Sequence, residues 1–545
     1  MPDAVVIGAG PNGLVAANRL ADAGWSVHVV EAQPEPGGAV RSSEALEPGF
    51  VNDHCSAFYP LAAASPAIRG LGLERHGLEW LHGPLVVAHP SGDGTCVALS
   101  RDIDETAASL DGFAPGDGDA WRRLIDLWHR LKPAGLQMLV TPVPPLVPAT
   151  RLLATLGPAE AARVARLALL PIRRFGEEHF AGEGGRRLIA GNGMHADVTP
   201  ETAIGGFFGF VLCALGQDFG FPVPAGGAGM LSRALVRRLE QRGGTVECGT
   251  RAERILVRKR RAVAVRTADG REIDARRAVL AAVDAPQLFL RLLDADDVPP
   301  RVLDDVRRFE WDWSTIKIDW TLDGPIPWAA DEARRSPVVH VTDSVDALTV
   351  QSSQIRMGLI PEDPFLVFGQ YSMVDPSRQP EGKETAWGYT HVPQRVRGDA
   401  GGSLTGRWDA AELDELADRC EARIERLAPG FRALVRRRRI LGPADLERSD
   451  ANLGGGALNG GTAQLHQQLI FRPTWSFGRP DTPVRGLYLA SASAHPGGGV
   501  HGGPGAIAAR AALNEGRAAR IAGSAALGAA ALLAARHRPR HRPLV

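Results

Sequence analysis

Cysteine is scarce in this sequence, and the cysteines lie far apart. The chain has 545 residues and five cysteines, with no C-x-x-C pair. Scattered cysteines exclude a disulfide framework and dithiol redox chemistry, and they are typical of a reducing compartment. No cysteine or histidine spacing fits a metal site, so we expect no bound metal.

An excess of charge of either sign is also missing. The sequence has 62 basic side chains (Lys and Arg) and 62 acidic ones (Asp and Glu). Without net charge the protein creates no general field that attracts a nucleic acid, and we expect no nucleic-acid partner. The length is enough for two or more domains and a large core.

Neither a signal peptide nor a membrane-spanning run is recognisable. The first apolar stretch is short and continues directly into glycine, whereas a secretory signal has a basic start and a small-residue cleavage site. Near the end of the chain, 521–535 is an Ala-rich run of 15 residues, shorter than the ~20 that span a bilayer. We predict a cytoplasmic protein. Two segments leave peripheral membrane contact open. Residues 521–545 either contact a membrane or form a disordered tail, and residues 149–175 either contact a membrane or form a helical lid.

The sequence opens with the pattern of a strand, a glycine-rich turn and a helix. Residues 4–8 predict a buried parallel strand, and 12–23 predict a helix of small residues. The turn between them carries G-x-G-x-x-G at Gly8, Gly10 and Gly13. Such glycines make the bend, let the backbone approach a pyrophosphate and allow close packing of helix and strand.

An acidic residue follows where a dinucleotide-binding fold needs one. Residues 25–30 predict the second strand, and Glu31 comes directly after it, 23 residues from Gly8. A carboxylate at this place accepts hydrogen bonds from the hydroxyls of a ribose. The acid favours an unphosphorylated ribose and does not distinguish FAD from NAD.

A second glycine pair distinguishes the two cofactors. Gly37-Gly38 follows six residues after Glu31, with Arg41 beyond it. The pair keeps the backbone open beside a cofactor, and Arg41 supplies a fixed positive charge near a phosphate. An ordinary surface loop with a solvated arginine is the alternative. The position resembles the glycine pair of flavoproteins with two dinucleotide-binding domains, which favours FAD.

Two later segments return to the same type of sequence. Residues 221–282 predict a Pro- and Gly-rich loop, an amphipathic helix and a β-meander. Within the meander, the backbone at Ala252 either lies against the adenine or belongs to the core. Residues 486–513 predict a buried strand, a glycine turn and a small-residue helix. The N-terminus of that helix can face a phosphate or the carbonyl edge of a flavin.

These segments give a discontinuous domain plan. We predict an α/β fold in which a Rossmann-type FAD-binding domain of the two-dinucleotide-binding-domain type carries an inserted α+β substrate domain. The FAD-binding domain comprises 1–84, 221–283 and 480–520, the substrate domain comprises 85–220 and 284–479, and 521–545 is an Ala-rich, then basic, tail.

Together the motifs resemble the phytoene-desaturase-like FAD-dependent oxidoreductases, a branch of the amine-oxidase flavoprotein superfamily. The resemblance covers most of the chain and rests on 8–14, the pair Gly37-Gly38, 49–60, 224–231 and 495–505. It implies noncovalent FAD, since the terminal motif has no cysteine for a covalent link. The FAD-binding residues that it implies are Gly8, Gly10, Pro11, Asn12, Gly13, Glu31, Ala32, Gly37, Gly38, Arg41, Ala252, Gly498, Gly499 and Val500.

The resemblance also implies three catalytic residues. In related amine oxidases a strand lysine holds a water near the flavin N5, and Lys317 in W-S-T-I-K-I-D-W lies at the matching place. The alternative is that Lys317 faces solvent on an alternating strand. His495 and His501 flank the terminal glycine turn and are candidate proton donors or acceptors, or they only cap the loop. Ala39 stands where many members of the superfamily carry arginine, so the contacts that bind the flavin end of the cofactor stay open.

The implied reaction transfers a hydride or an electron pair between an apolar, isoprenoid- or carotenoid-like substrate and flavin. A tunnel for this substrate is predicted, with core packing as the alternative, from Phe207, Phe208, Phe210, Phe365 and Phe368. An amine oxidase is the second hypothesis, although the four tyrosines form no evident cage. A noncatalytic flavin-binding interaction protein is the third. The electron acceptor and the oligomeric state stay unknown.

Overall fold

The opening segment forms the strand, turn and helix that the glycine pattern predicts. The computed structural model describes residues 1–55, 57–475 and 478–515. Strand Ala4–Ile7 leads into helix Pro11–Asp22, and strand Val27–Val30 follows. Proline suits the first helical position because an N–H there would have no partner inside the helix. The predicted tail 521–545 lies outside the described residues.

Separate parts of the chain build one parallel sheet. Its strands, in spatial order, are Leu487–Leu489, Ala278–Ala281, Ala4–Ile7, Val27–Val30 and Thr245–Glu247. Strands Ala4–Ile7 and Ala278–Ala281 consist of valine, isoleucine, leucine and alanine and are buried on both faces, as parallel strands between covering layers require. The sheet therefore joins segments that are far apart in sequence into one dinucleotide-binding framework.

Smaller elements complete the region around this sheet. Helix Gly229–Gln241 packs beside helix Pro11–Asp22. The predicted meander is formed by strands Ala252–Arg258, Arg261–Thr267 and Glu272–Asp274. The last helix is described over 503–515. Its small residues allow it to lie close to the first helix of the chain, since a Cβ on Gly505 would come within 1.9 Å of the Asn12 carbonyl oxygen.

A second, larger sheet has two chemically different faces. Its strands, in spatial order, are Val435–Leu441, Ser314–Leu322, Glu384–Val392, Leu366–Gln370, Val338–Val341, Val87–Pro90 and Cys96–Leu99. One face presents apolar side chains such as Ile318 and Trp320 to helix Ala410–Leu427. The other face carries polar side chains such as Lys317 and His340, both of which are buried. Alternation along each strand separates the two sets.

Helices cover the polar face of the large sheet. Six helices lie between residues 103 and 219: Ile103–Asp111, Asp117–Met138, Leu146–Leu169, Ile172–His179, Glu183–Gly193 and Gly205–Phe219. Shorter helices follow at Pro300–Arg307, Val345–Arg356 and Pro443–Ser449. Helix Leu146–Leu169 is interrupted at Gly157, whose φ is 72°. Within the described residues no helix is both long and apolar enough to cross a membrane.

The predicted α/β fold with an added α+β region is confirmed.

Three histidines, of which His89 and His340 are fully buried, meet beneath the helical layer. His195 Nε2 and His340 Nε2 are 2.8 Å apart, and the rings of His89 and His340 meet edge to face at 4.5 Å. Burial lowers the pKa of all three, to about 3 for His195. Two neutral rings can share one proton between facing nitrogens, whereas a charged ring would place two N–H groups against each other.

We therefore expect acid to destabilise the protein well above the range of ordinary carboxylates. A histidine whose pKa is lowered by folding contributes stability above pH 6.5, and this is lost as the pH falls toward the folded-state value. Denaturant titrations should show a loss of roughly 1.4 kcal/mol per pH unit for each such histidine below pH 6.5. His340→Leu should flatten this slope, and the control His466→Gln, at an exposed site, should leave it unchanged. Equal slopes in all three proteins would contradict the account.

Candidate functional site

The first glycine turn combines a closed side and an open side. Gly8 has φ of +96°, and a Cβ on Gly13 would lie 2.1 Å from the Gly8 carbonyl oxygen. These two glycines are therefore required by backbone packing. A Cβ on Gly10, in contrast, would meet no atom within 4 Å. The open space beside Gly10, at the start of helix Pro11–Asp22, fits a dinucleotide phosphate.

The start of this helix has unfilled hydrogen-bonding capacity. Pro11 occupies the first helical position, and no side chain caps the helix. The Asn12 Oδ1 atom is buried without a hydrogen-bond partner. Free N–H groups at a helix start and the helix dipole favour an anion. The described residues at the turn thus fit the dinucleotide that the sequence predicts.

Glu31 is buried at the end of the second strand. Its carboxylate accepts hydrogen bonds from the backbone N–H groups of Ala9, at 2.7 Å, and Gln33, at 2.9 Å. Burial raises the pKa of Glu31. The Glu31 carbonyl accepts the N–H of Thr250 at 2.7 Å, so the strand that begins at Ala252 starts close by. Ala32 is exposed.

The second glycine pair is held in place by a buried arginine. Gly37 and Gly38 have φ of 131° and 55°, and a Cβ on Gly37 would lie 2.5 Å from the Val40 carbonyl oxygen. Arg41 Nε donates to the Gly38 carbonyl at 2.8 Å, and Arg41 Nη2 donates to the Ser449 carbonyl at 2.7 Å. The alternative of a solvated surface arginine is wrong, because Arg41 is buried and bound on both sides.

The terminal glycine turn packs against two other parts of the chain. A Cβ on Gly498 would lie 2.3 Å from Asn459 Oδ1, and one on Gly499 would lie 2.6 Å from Leu61 Cδ1. Val500 has φ of +55°, in the left-handed region. The close approach of the backbone explains both glycines and places Leu61 directly beside the turn. The FAD contacts predicted for Gly498, Gly499 and Val500 stay predictions.

The two histidines of this turn are buried and neutral. Burial lowers the pKa of His495 and of His501 to about 4. His501 Nδ1 accepts the N–H of Gly503 at 3.0 Å, so this ring caps the start of the final helix. His495 Nε2 is buried without a partner. A role of either ring in proton transfer stays a prediction.

Lys317 is buried, and the alternative that it faces solvent is wrong. Its side chain is 3% exposed on strand Ser314–Leu322, which is buried throughout. The Nζ atom donates to the Asp53 carbonyl at 3.0 Å and forms an ion pair with Asp319. Arg439 donates to the same carboxylate at 2.8 Å. Two cations therefore share the Asp319 carboxylate. The charge of Lys317 is less fully neutralised than it would be in an isolated ion pair with Asp319.

A buried ionic cluster lies beside Lys317 and was not predicted from the sequence. The Asp53 carboxylate accepts hydrogen bonds from Ser42 Oγ at 2.6 Å, the Ala228 N–H at 2.8 Å, Tyr371 Oη at 2.7 Å and Arg378 Nη1 at 2.6 Å. Three of these partners, Ala228, Tyr371 and Arg378, are at least 175 residues away in sequence, so no local pattern indicates them. Asp53 joins the region near Gly37-Gly38 to the large sheet.

A second missed cluster fixes the loop that faces the terminal turn. This loop, 457–463, contacts Gly498 through Asn459. The Asp312 carboxylate accepts three of its backbone N–H groups, at 2.8–3.2 Å. Burial raises the pKa of Asp312 to about 7. Arg472, fully buried, donates to carbonyls of the loop and of Ala492. The loop contains no aromatic residue.

The predicted phenylalanine tunnel is wrong as a set. Phe210 and Phe365 are buried in the core on the helical side of the large sheet, and Phe207 packs against that core. Phe368 packs on the opposite face of the sheet, because strand alternation turns it away. Phe208 is 40% exposed. The five side chains therefore do not line one cavity.

A different set of rings forms a continuous row on the polar face of the large sheet. This aromatic row consists of Tyr371, Phe58, Trp387, Tyr389, His391 and Trp313, with successive ring centroids 5.5–6.1 Å apart. Phe58, Tyr389 and Trp313 pack against the core but are only partly buried, so part of each ring stays accessible. Tyr389 is also the cross-strand partner of Lys317. The signal in the sequence was the alternation in A-W-G-Y-T-H-V.

Metal binding is not indicated in the part of the chain that the structure describes. There, no group of three or more His, Cys, Asp or Glu side chains is arranged to hold a metal ion. Two surface depressions, of about 500 and 390 Å³, are lined by arginines and aspartates at Asp93 and Asp343. Both lie at the far edge of the large sheet, away from the glycine turns.

Comparison with known proteins gives a consistent result. Residues 98–511 match the family described as "Flavin containing amine oxidoreductase", and residues 6–71 match "NAD(P)-binding Rossmann-like domain". The chain is 29% identical to the mouse Pyridine nucleotide-disulfide oxidoreductase domain-containing protein 2, over 93% of this chain and 92% of that protein. It is 26% identical to the lycopene-forming phytoene desaturase of Pseudescherichia vulneris, over 92% and 96%. An oxidoreductase structure from Methanosarcina mazei has a TM-score of 0.62 at 15% identity, covering 94% of this chain and all of that one.

Proposed function

Because the chain belongs to the family of flavin containing amine oxidoreductases, we propose that it removes a hydride or an electron pair from a C–H bond of an uncharged, unsaturated apolar molecule. The chain is an FAD-binding oxidoreductase of this superfamily. The observation that supports an apolar substrate is the aromatic row, which includes three partly exposed rings and lies next to Lys317. A conjugated chain stacks well on such rings.

The charges around the aromatic row argue against an amine substrate. A substrate ammonium needs a free carboxylate or a cage of rings. Asp53 is paired with Arg378, and Asp319 is paired with Lys317 and Arg439. The loop 457–463 opposite the terminal turn supplies no ring for a cage. The likeness to the phytoene desaturase of Pseudescherichia vulneris also favours a hydrocarbon.

The residues of the chain hold the cofactor and position the substrate. The first glycine turn and Glu31 are proposed to hold the adenosine and pyrophosphate, with noncovalent FAD extending to the terminal turn. When bound, FAD supplies the acceptor for the electron pair. Lys317 is proposed to hold a water or a proton at its Nζ atom, and the aromatic row excludes other water. The third hypothesis, a noncatalytic flavin-binding protein, is disfavoured because all the glycine motifs are intact.

The proposal is tested by an anaerobic titration of the FAD-loaded protein. Phytoene in detergent micelles and a panel of primary amines are added separately while the visible flavin absorbance is followed. We expect phytoene or a related polyene to bleach the flavin band, with no change on adding amines. Bleaching by amines alone would establish the amine-oxidase hypothesis. If no compound bleaches the flavin of the FAD-loaded protein, the result would support the hypothesis of a noncatalytic flavin-binding protein.

Lys317→Met is expected to retain FAD and to slow anaerobic flavin reduction by about 100-fold or more, the range for a lost proton-handling group. The fold should survive because Arg439 still neutralises Asp319 at 2.8 Å. Stopped-flow absorbance gives the reduction rate, and the flavin-to-protein ratio reports FAD content. Lys383→Met, which removes a partly exposed lysine paired with Asp323, is the control. A wild-type rate in Lys317→Met would remove Lys317 from the reaction.

A further inference from the structure

A short segment of the large-sheet region crosses over the first glycine turn. This segment, 448–452, is called the strap here, and it comprises the last two residues of helix Pro443–Ser449 and the three residues after it. Its backbone carbonyls at 448, 449 and 451 accept hydrogen bonds from Gln33, Arg41 and Gln287, at 3.4, 2.7 and 2.7 Å. The strap is therefore tied to the chain on both sides of strand Ala4–Ile7, since Gln33 follows strand Val27–Val30 and Gln287 follows strand Ala278–Ala281.

The end of the strap is also fixed, directly behind the turn. Asn452 Nδ2 donates to the Ala282 carbonyl at 3.2 Å, and Asn452 Oδ1 accepts the N–H of Asp284 at 2.8 Å. Ala282 is in turn a close neighbour of Gly8 and Gly13, since Cβ atoms placed on those glycines would come within 3.2 Å of it. The strap therefore holds Asp450 at a defined place over the turn.

The carboxyl group of Asp450 points at the two glycine motifs. A Cβ placed on Gly38 would lie 3.0 Å from Asp450 Oδ2 and 3.3 Å from Gly10 Cα. Asp450 Oδ1 accepts the N–H of Asn452 at 3.0 Å. Gly10 borders open space, because a Cβ there would meet nothing within 4 Å. An acidic side chain therefore stands beside the open space that the sequence assigns to a pyrophosphate.

We propose that the Asp450 carboxyl group contacts the bound dinucleotide in its protonated form, donates a hydrogen bond to it, and makes FAD binding depend on pH. A carboxylate beside a pyrophosphate would be strongly repelled in a poorly solvated site. A neutral carboxyl group avoids this repulsion and offers an O–H donor to a phosphate or hydroxyl oxygen. The inference rests on FAD lying along the first glycine turn.

The surroundings of Asp450 support a neutral carboxyl group. Burial raises its pKa, and the positive charge of Arg41 partly opposes this. Three other titratable groups interact electrostatically with Asp450, and they are Glu31, Asp284 and Cys55. The carboxylates of Glu31 and Asp284 each accept two hydrogen bonds, whereas that of Asp450 accepts one, from the Asn452 N–H. Since Asp450 has the fewest donors of the three and lies nearest to Gly10 and Gly38, the proposal assigns to it the proton taken up when FAD adds negative charge.

The test measures FAD binding without any substrate, so it is independent of the reaction. The FAD-loaded full-length protein is diluted at pH 6 to 9, and the fluorescence of released flavin gives the dissociation constant. We expect wild-type affinity to weaken up to tenfold per pH unit above the Asp450 pKa of the FAD-free protein, the slope for uptake of one proton. Asp450→Asn should bind FAD at least tenfold more tightly than wild type at pH 8.5, with a flat pH profile.

Two controls keep the outcome decisive. Asp296→Asn, at an exposed turn, removes the same charge elsewhere and should keep the wild-type pH profile. Calorimetry of FAD binding to the wild-type protein, in two buffers with different ionisation enthalpies, should show proton uptake even if Asp450→Asn folds poorly. Weaker FAD binding by Asp450→Asn at every pH, or no proton uptake by the wild type, would overturn the proposal. If Asp450→Asn behaves as expected but no substrate bleaches the flavin, only the proposed function fails.

Discussion

Replacing Gly13 by alanine is expected to abolish FAD binding and to lower the free energy of unfolding by about 1–3 kcal/mol, the usual cost of overpacking. The new Cβ would lie 2.1 Å from the Gly8 carbonyl oxygen and 3.1 Å from Ala282 Cβ. Both neighbours belong to the backbone framework of the parallel sheet and cannot rotate away. Relief requires the first helix to move off the strand, which displaces the helix start from the cofactor.

Gly10→Ala is the matched control for this prediction. Its φ of −70° is ordinary for alanine, and its Cβ would meet no protein atom within 4 Å. The fold should therefore keep wild-type stability in denaturant titrations, while the methyl group occupies space assigned to the pyrophosphate and weakens FAD binding. Equal loss of stability in Gly10→Ala and Gly13→Ala would contradict this division of roles between the two glycines.

Replacing Asp53 by alanine is expected to lower the free energy of unfolding by about 3–5 kcal/mol, the cost of leaving a buried charge without its partner. Arg378 is fully buried and loses its 2.6 Å contact with Asp53, although Asp375 remains at 3.0 Å. Tyr371 and the Ala228 N–H lose an acceptor as well. Chemical denaturation at neutral pH measures the change.

Asp323→Ala gives the comparison for the Asp53 prediction. Asp323 also contacts two cations, Lys383 and Arg436, but all three side chains are partly exposed. Exposed pairs contribute about 1 kcal/mol or less. A similar small loss in both variants would show that the Asp53 cluster contributes little, and that the large sheet is joined to the glycine motifs by other contacts.

The local features of the cofactor site could be predicted from the sequence because each depends on neighbouring residues. The strand, the turn and the helix around Gly8, Gly10 and Gly13 follow from periodicity and glycine spacing within one short segment. Boundaries shifted by one or two residues, since helix Pro11–Asp22 begins at its proline and the second strand begins at Val27. Arg41 was identified, but its burial was not, because its partner Ser449 is 408 residues away.

The features that could not be predicted depend on pairing across the chain. Strands Val87–Pro90 and Cys96–Leu99 join a sheet whose other strands lie beyond residue 314. Phe368 is turned to the opposite face by alternation along its own strand. The aromatic row combines three rings of strand Glu384–Val392 with Phe58, Trp313 and Tyr371, which lie outside the strands, so only the folded chain brings them together. The position of Asp450 over the first turn has no local signal either, since it follows from how the strap crosses the sheet.

The most direct test of the central claim is the identity of the product after one anaerobic turnover. The FAD-loaded protein is mixed with a slight excess of an isoprenoid polyene, the flavin is allowed to bleach, and the recovered polyene is analysed by mass spectrometry. The account predicts a product that has lost two hydrogen atoms, formed in a ratio of one per flavin bleached. Unchanged polyene, together with bleaching and a carbonyl product when an amine is used instead, would contradict it.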